Sequence, residues 1–294
     1  MGLDIFVAYW GDVALFKKTV RSVLAQQGDD WLLTVVDDAY PNPEAGQWLN
    51  GLNHARVRYI RNEHNLGVVG NYRKLLSMGT QEHCVFLGCD DVLLPNYTQT
   101  VLSLFALYPH ASILQPGVKI IDENDADTMT LPDWVKKRIV MPAATEATVL
   151  QGESLAVSLL HGDWLYWPSV AFRTEALRQF DFDDSLKITH DLDLILDMIF
   201  QGHRMIVTPE VCFAYRRHSS SISAATLMDG RRFKEEKRCF AMAESQARSH
   251  AWSRAVWAAR LHITSRLNAG YMLLESLLKR KFSHMPVLAR HLLC

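Results

Sequence analysis

Four aspartates stand in two adjacent pairs, each just after a short apolar run. Asp37-Asp38 follows Leu32–Val36, and Asp90-Asp91 follows Cys84–Leu87 by way of Gly88-Cys89. Carboxylates crowded at strand ends repel one another unless a cation sits among them, and hard oxygen donors suit Mg²⁺ or Mn²⁺. Each pair could instead cap the turn or helix that follows it. Two pairs in one sheet favour a ligand site, because parallel α/β sheets bind ligands outside the carboxyl ends of their strands. Two more acids, Asp191 and Asp193, open a helical pattern, where the helix dipole alone would favour them. Cys89 reads as a small apolar residue at a strand end.

The elements that must position these residues alternate in type. Leu3–Tyr9, Leu32–Val36, Val57–Ile60 and Cys84–Leu87 read as strands. Helical patterns run from Asp12 to about Gln27, from Val69 to Met78, and from Pro95 to Tyr108. Continuous apolar strands alternating with helices predict a mostly parallel, Rossmann-like α/β sheet with helices on both faces. Residues 109–150 hold four prolines and read as an irregular lid or insertion. Helical pattern returns at Glu153–Leu160 and Asp191–Phe200, strand pattern at residues 204–215, and everything after Asp229 reads as helix. The expected division is a catalytic body, 1–228, and a helical C-terminal extension, 229–294.

At 294 residues, 49% hydrophobic and 21% charged, the chain has a globular composition and can bury a large core. The net charge of −1 argues against a nucleic-acid binder. It hides an asymmetry, however, because thirteen Lys/Arg and only four acids fall after residue 229. Five cysteines, an odd number with no C-x-x-C pair, fit a reducing, cytoplasmic setting. No stretch reads as a signal peptide or a transmembrane helix, and Phe6 breaks the myristoylation pattern.

Four segments in this order resemble family 2 inverting glycosyltransferases of the GT-A fold, over about residues 3–223. They are "IFVAYWGDVALFKKTVRSVLAQQ", "LLTVVDDAYPNP", "NLGVVGNYRKLLSMGTQEHCVFLGCDDVLLP" and "ITHDLDLILDMIFQGHRMIVTPEVCFAYRRHSSSIS". The resemblance implies transfer of a sugar from a nucleotide-sugar to an acceptor hydroxyl with inversion at the anomeric carbon. It assigns Asp37 and Asp38 to the base, favouring a UDP- or dTDP-sugar, with Tyr9 stacking and Asn65, Gly67 and Asn71 lining the nucleotide. It places Asp90, with Asp91 and His218, on Mn²⁺ or Mg²⁺ at the diphosphate. Arg216 or Arg217 is implied as a phosphate clamp, and Arg73 could reach a phosphate from its helix.

Asp191 aligns with the general base, Asp193 being the fallback. Trp164, Tyr166 and Trp167 are candidates to stack on an acceptor, which a glycan, a lipid-linked saccharide or a small molecule would all satisfy. Two positions depart from the family pattern: Gly88 stands where the first metal acid is expected, and His190 replaces a Glu. Those departures favour a rival reading, a non-catalytic binding or scaffold protein on a degenerate transferase fold. A sugar-nucleotide pyrophosphorylase would need a Gly-rich basic loop after the first strand, where Tyr9-Trp10-Gly11-Asp12 stands instead. The Trp- and Arg-bearing tail could lie on the inner face of an anionic membrane, cap its own domain or form a dimer contact.

Overall fold

The computed structural model describes residues 2–217, 231–278 and 285–293. Nine strands form one sheet: β1 (Leu3–Tyr9), β2 (Trp31–Asp37), β3 (Val57–Arg61), β4 (His83–Phe86), β5 (Val92–Leu93), β6 (Ile113–Ile121), β7 (Thr148–Leu150), β8 (Ala171–Arg173) and β9 (Met205–Arg216). Their order is β3-β2-β1-β4-β8-β6-β9-β5, with β7 also on β9. The long ladders β1–β2, β1–β4, β2–β3 and β6–β9 are parallel. The short ones, β4–β8, β6–β8, β5–β9 and β7–β9, are antiparallel. β8 thus joins two parallel blocks.

Side chains alternate along β1 because strand residues point to opposite faces. Leu3, Ile5, Val7 and Tyr9 enter one core with Phe16, Val20 and Val23 of α1 (Val13–Leu24) and with α2 (Glu44–Gly51) and α4 (Tyr97–Leu107). Phe6 enters the other, with α3 (Gly67–Met78), α6 (Gly152–His161) and α8 (His190–Phe200). Asp12 caps α1 through Leu15 N–H at 2.9 Å.

The irregular segment expected over residues 109–150 contains the nine-residue β6. Pro116 and Gly117 interrupt its pattern at a bulge opposite β9, where a proline needs no ladder hydrogen bond. A Cβ at Gly117 would press on the Pro209 carbonyl at 2.5 Å, so close strand approach requires glycine there. The segment continues into α5 (Leu131–Val135) and a further turn, Lys136–Val140. A four-residue helix, α7 (Thr174–Leu177), follows β8.

Four C-terminal helices follow: α9 (Arg231–Ser249), α10 (Ser253–Leu261), α11 (Ile263–Leu278) and α12 (Met285–Leu293). Cys239, Phe240, Ala243 and Ala247 of α9, and Ala255, Ala258 and Ala259 of α10, share the core of α6 and α8. The expected boundary at 228/229 lies outside the described residues. α11 and α12 pair around Ala269 and Leu288, with Phe233. Among the described residues no helix is long and apolar enough to cross a membrane.

Asp193 and Asp197 face α9. Gln246 Nε2 donates to Asp197 Oδ1, and burial pushes the buried Asp193 carboxyl up to about 7, with repulsion from Asp197 adding to the shift. The folded chain therefore keeps this proton to about pH 7, whereas the unfolded chain loses it near the ordinary value of 3.8. Stability should fall as pH rises between these values and level off above about 7. Asp193→Asn should flatten that decline in thermal melts across pH 5–8 and melt above the wild type at the alkaline end. Parallel pH curves for the two proteins would remove Asp193 as the cause.

Candidate active site

The carboxyl ends of β1, β2 and β4 lie side by side, and the loops leaving them carry the expected acids. Asp37 is fully buried. Its Oδ1 accepts from Tyr40 N–H at 2.8 Å, and its Oδ2 accepts from Tyr59 at 2.6 Å and Arg61 at 2.8 Å. Asp38 Oδ1 accepts from Leu66 N–H at 2.7 Å and Asn62 Nδ2 at 2.9 Å, and Oδ2 from Gly67 N–H at 2.9 Å. Gly67 has φ +73°, a conformation that disfavours a side chain, and its N–H also lies 3.0 Å from Asn65 Oδ1. Asn71 is buried and bridges Asn62 Nδ2 and the Gly67 carbonyl, while Lys74 Nζ reaches Asn62 Oδ1 at 2.7 Å. Of the residues expected at the nucleotide, Asp38, Asn65, Gly67 and Asn71 share one network, with Asn62 and Lys74 as members that no motif marked, while Tyr9, Asp37 and Asp90 lie outside it.

Tyr9 does not offer a face to a base. It is fully buried, its ring packs 4.4 Å from Phe16, and its hydroxyl donates to the Gly11 carbonyl. Even spacing along β1 puts Tyr9 on the same inward face as Val7. The exposed aromatic at this edge is its neighbour Trp10, 48% exposed and set edge-on to Tyr40 at 5.2 Å.

Asp91 is buried, and its Oδ1 accepts from the Arg216 backbone N–H at 2.8 Å. Burial, with repulsion from half-exposed Asp90 added to it, holds its carboxyl well above the ordinary range. Gly88 makes this arrangement possible. A Cβ there would collide with Asp91 Oδ2 and lie 3.1 Å from Asp90 Oδ1. Both carboxylates therefore border the space that the family's first metal acid would fill, and two crowded hard oxygens fit a divalent cation. Among the described residues no three His, Cys, Asp or Glu cluster as a complete metal site. His218 lies outside the described residues.

Arg216 is not a phosphate clamp. Its side chain is 0% exposed, with Nε donating to the Asp90 carbonyl and Nη1 to the Asp122 carbonyl, both at 2.7 Å, and Nη2 lying 2.7 Å from Asp125. Arg217 is one-third exposed, donates to Asp133 at 2.6 Å and lies over Tyr215. Arg73 is engaged by Asp181 and Asp184, each at 2.6 Å.

Asp191 stands half-buried in the first turn of α8. The Tyr72 ring of α3 packs 4.6 Å from Phe86 of β4 and 5.7 Å from His190, linking this turn to the β4 end. Among the described residues neither His190 ring nitrogen has a hydrogen-bond partner. Three charged groups without a motif gather near Asp191. Burial pushes the Asp163 carboxyl up, with Lys136 opposing the shift. Burial also lowers Lys136 to about 8, and its ammonium sits 4.0 Å over the Tyr166 ring. The third, Arg232 of α9, feels both Asp163 and Asp191. The fallback base, Asp193, is hydrogen-bonded to Cys239 of α9.

The three acceptor-stacking candidates are all buried. Trp164 is fully covered and donates to Ser158 Oγ at 3.0 Å, Trp167 stacks on Phe86 at 5.7 Å, and Tyr166 lies beneath Lys136. The aromatic-rich stretch packs the core because large apolar rings dominate core burial.

The sequence profile of glycosyl transferase family 2 matches residues 4–158, more than half of the chain. The chain belongs to glycosyl transferase family 2. It is 26% identical over 102 residues to Escherichia coli (strain K12) WcaA, to which colanic acid glycosyl transfer is provisionally assigned, covering 34% of this chain and 37% of that one. It is 21% identical over 203 residues to MJ1057, an uncharacterized glycosyltransferase of Methanocaldococcus jannaschii, covering 68% and 65%. The fold superposes on S. aureus TarS residues 1–349 in complex with UDP-GlcNAc with a TM-score of 0.62 at 14% identity, over 82% of this chain and 66% of that one. At that identity the likeness is one of fold, the GT-A architecture. The chain spans less than two thirds of the length of each of these three relatives.

Two variants probe the site. Gly88→Ala should force Asp91 from its place, lowering stability by about 1–3 kcal/mol in thermal melts and weakening any metal-dependent nucleotide binding; an unchanged melt would mean that Asp91 swings away freely. Glu235 Oε2, on α9, accepts from Lys187 N–H at 2.8 Å and Ile188 N–H at 2.7 Å, fixing the loop that leads into Asp191. Glu235→Ala should cut turnover about tenfold with donor affinity unchanged, and Glu235→Gln should restore most of it, each hydrogen bond to a charged group contributing about 1.5–3 kcal/mol. Equal kcat in the wild type and Glu235→Ala would exclude the positioning role.

Proposed function

We propose that this chain is an inverting glycosyltransferase that moves a sugar from a UDP- or dTDP-sugar to an acceptor hydroxyl by single displacement. The observation that carries the reading is the placement of Asp191. It opens α8 next to His190, whose ring meets Tyr72, and Tyr72 packs on Phe86 of β4, the strand that leads to Asp90-Asp91, in a chain of family 2. A carboxylate there can accept the proton that the attacking hydroxyl sheds. Arg232 and Asp163 lie within electrostatic reach of it. Asp38 Oδ2 accepts one backbone N–H and keeps acceptor capacity toward the N3–H of uracil or thymine. Arg217 is the more accessible of the two tandem arginines for a phosphate oxygen.

The Asp90 and Asp91 carboxylates, with His218, would hold Mn²⁺ or Mg²⁺, and a neutral imidazole suits Mn²⁺ better. Bound there, the cation would offset charge developing on the departing diphosphate. The partners on this reading are the nucleotide-sugar and a glycan, lipid-linked or small-molecule acceptor. We place the reaction on the cytoplasmic side, consistent with free thiols at Cys84, Cys89, Cys212 and Cys239. TarS was solved with UDP-GlcNAc, which makes that compound the first donor to test.

Calorimetry with UDP, dTDP, GDP and ADP, each with and without Mn²⁺, should give tight, Mn²⁺-dependent binding of a pyrimidine diphosphate alone. Asp191→Asn should keep that binding and lose about a hundredfold or more in nucleotide release from a panel of UDP- and dTDP-sugars. Full turnover in the variant would remove Asp191 as the base. No nucleotide binding by folded protein would favour the scaffold reading, which the glycine at 88 and the histidine at 190 support.

A further inference from the structure

The inward faces of α10 and α11 are spoken for. Ala255, Ala258 and Ala259 enter the main core, and Ala269 packs with Phe233 and Leu288. The outward faces are apolar as well. Ile263, Leu267, Tyr271, Leu274 and Leu277 of α11 are all exposed, and their spacing gathers them on one side of the helix. Leu267 is 65% exposed and Trp257 of α10 is 60% exposed, with Leu261 beside the corner between the helices. Polar residues would serve a solvent face at no cost to the fold, so five exposed apolar side chains on one side of α11 mark a contact surface.

The charges around the stripe select what it contacts. Between Ser253 and Lys281 the sequence holds Arg254, Arg260, Arg266, Lys279, Arg280 and Lys281 against Glu275 alone. Arg254 is exposed, and Arg260 lies over the Trp257 ring at 5.8 Å while also bonding Glu244. The Lys-Arg-Lys run follows directly on the end of α11 in the sequence. Exposed apolar residues including Trp and Tyr, in a stretch of sequence with six cations against one acid, are complementary to a bilayer with anionic headgroups, where aromatic rings settle at the interface.

We infer that the outward face of α10 and α11 docks on an anionic lipid bilayer, lying in the headgroup layer without crossing it. This localises the membrane contact open to the basic tail and requires no catalytic residue, so it stands or falls apart from the transfer reaction.

The full chain would be sedimented with vesicles of phosphatidylcholine alone and of phosphatidylcholine with phosphatidylglycerol, at low and high salt. Wild type should bind only the anionic vesicles, and salt should weaken the binding. The double variant Leu267→Glu/Leu274→Glu alters exposed positions and should lose binding at least about tenfold, with its melt and its UDP calorimetry as controls on the fold. Absence of wild-type binding, or equal binding by the variant, would overturn the inference. So would a wild-type dimer in solution that the variant dissociates and vesicles do not compete for, because the stripe would then join two copies of this chain.

Discussion

The turn that carries Asp90 and Asp91 hangs on a buried guanidinium. Arg216 ends β9, and its backbone N–H binds the Asp91 carboxylate while its side chain holds the Asp90 carbonyl from within the protein. The same side chain ties down the Asp122–Asp127 turn through the Asp122 carbonyl and Asp125, and Lys18 of α1 pairs with the other Asp125 oxygen. Thr19 of α1 donates to the Asp91 carbonyl. A buried charge is tolerated only when its donors are met, and here the acceptors come from the β4–β5 turn and from the turn after β6. That constraint fixes two carboxylates against each other, which is unfavourable on its own.

The Asp38 network solves the matching problem one strand over. Its oxygens take the N–H groups that open α3, so α3 starts without a capping side chain of its own. Asn62, Asn71 and Lys74 then satisfy one another behind it. Such a network specifies one geometry because each member, left alone in the interior, would be costly. α3 in turn delivers Tyr72 to a place between Phe86 of β4 and His190 of α8.

The sequence made the strand ends and the first-turn acid of α8 legible, because continuous apolar runs and their bounding acids are local signals. It did not reveal which way a side chain faces. Tyr9, Trp164 and Trp167 carry chemistry by type, yet strand alternation and core demand put all three inside, while Trp10 stands outside. Arg216 and Arg217 are adjacent and alike in sequence; only the β9 register separates the buried guanidinium from the accessible one. β6 went unread because Pro116 and Gly117 imitate a loop, and their tolerance depends on a bulge against β9, far along the chain. Lys136, Asp163 and Arg232 belong to no motif and meet only through tertiary packing.

The basic tail illustrates how a composition can sum two separate tasks. Part of its charge is spent inward: Glu235 holds residues 187–188, Arg238 lies 3.8 Å from Asp183, and Arg232 sits within reach of Asp163 and Asp191. These contacts frame the loop before α8, so the helices following the body help determine the geometry of its first-turn acid. Arg254 and Arg260 lie instead on α10, which also carries the exposed Trp257. Net charge alone could not distinguish an element that completes a site from one that meets a surface, and helix periodicity combined with burial does. The helix that meets the loop before α8 is α9, whereas the exposed apolar residues lie on α10 and α11, on either side of His262 and its left-handed conformation.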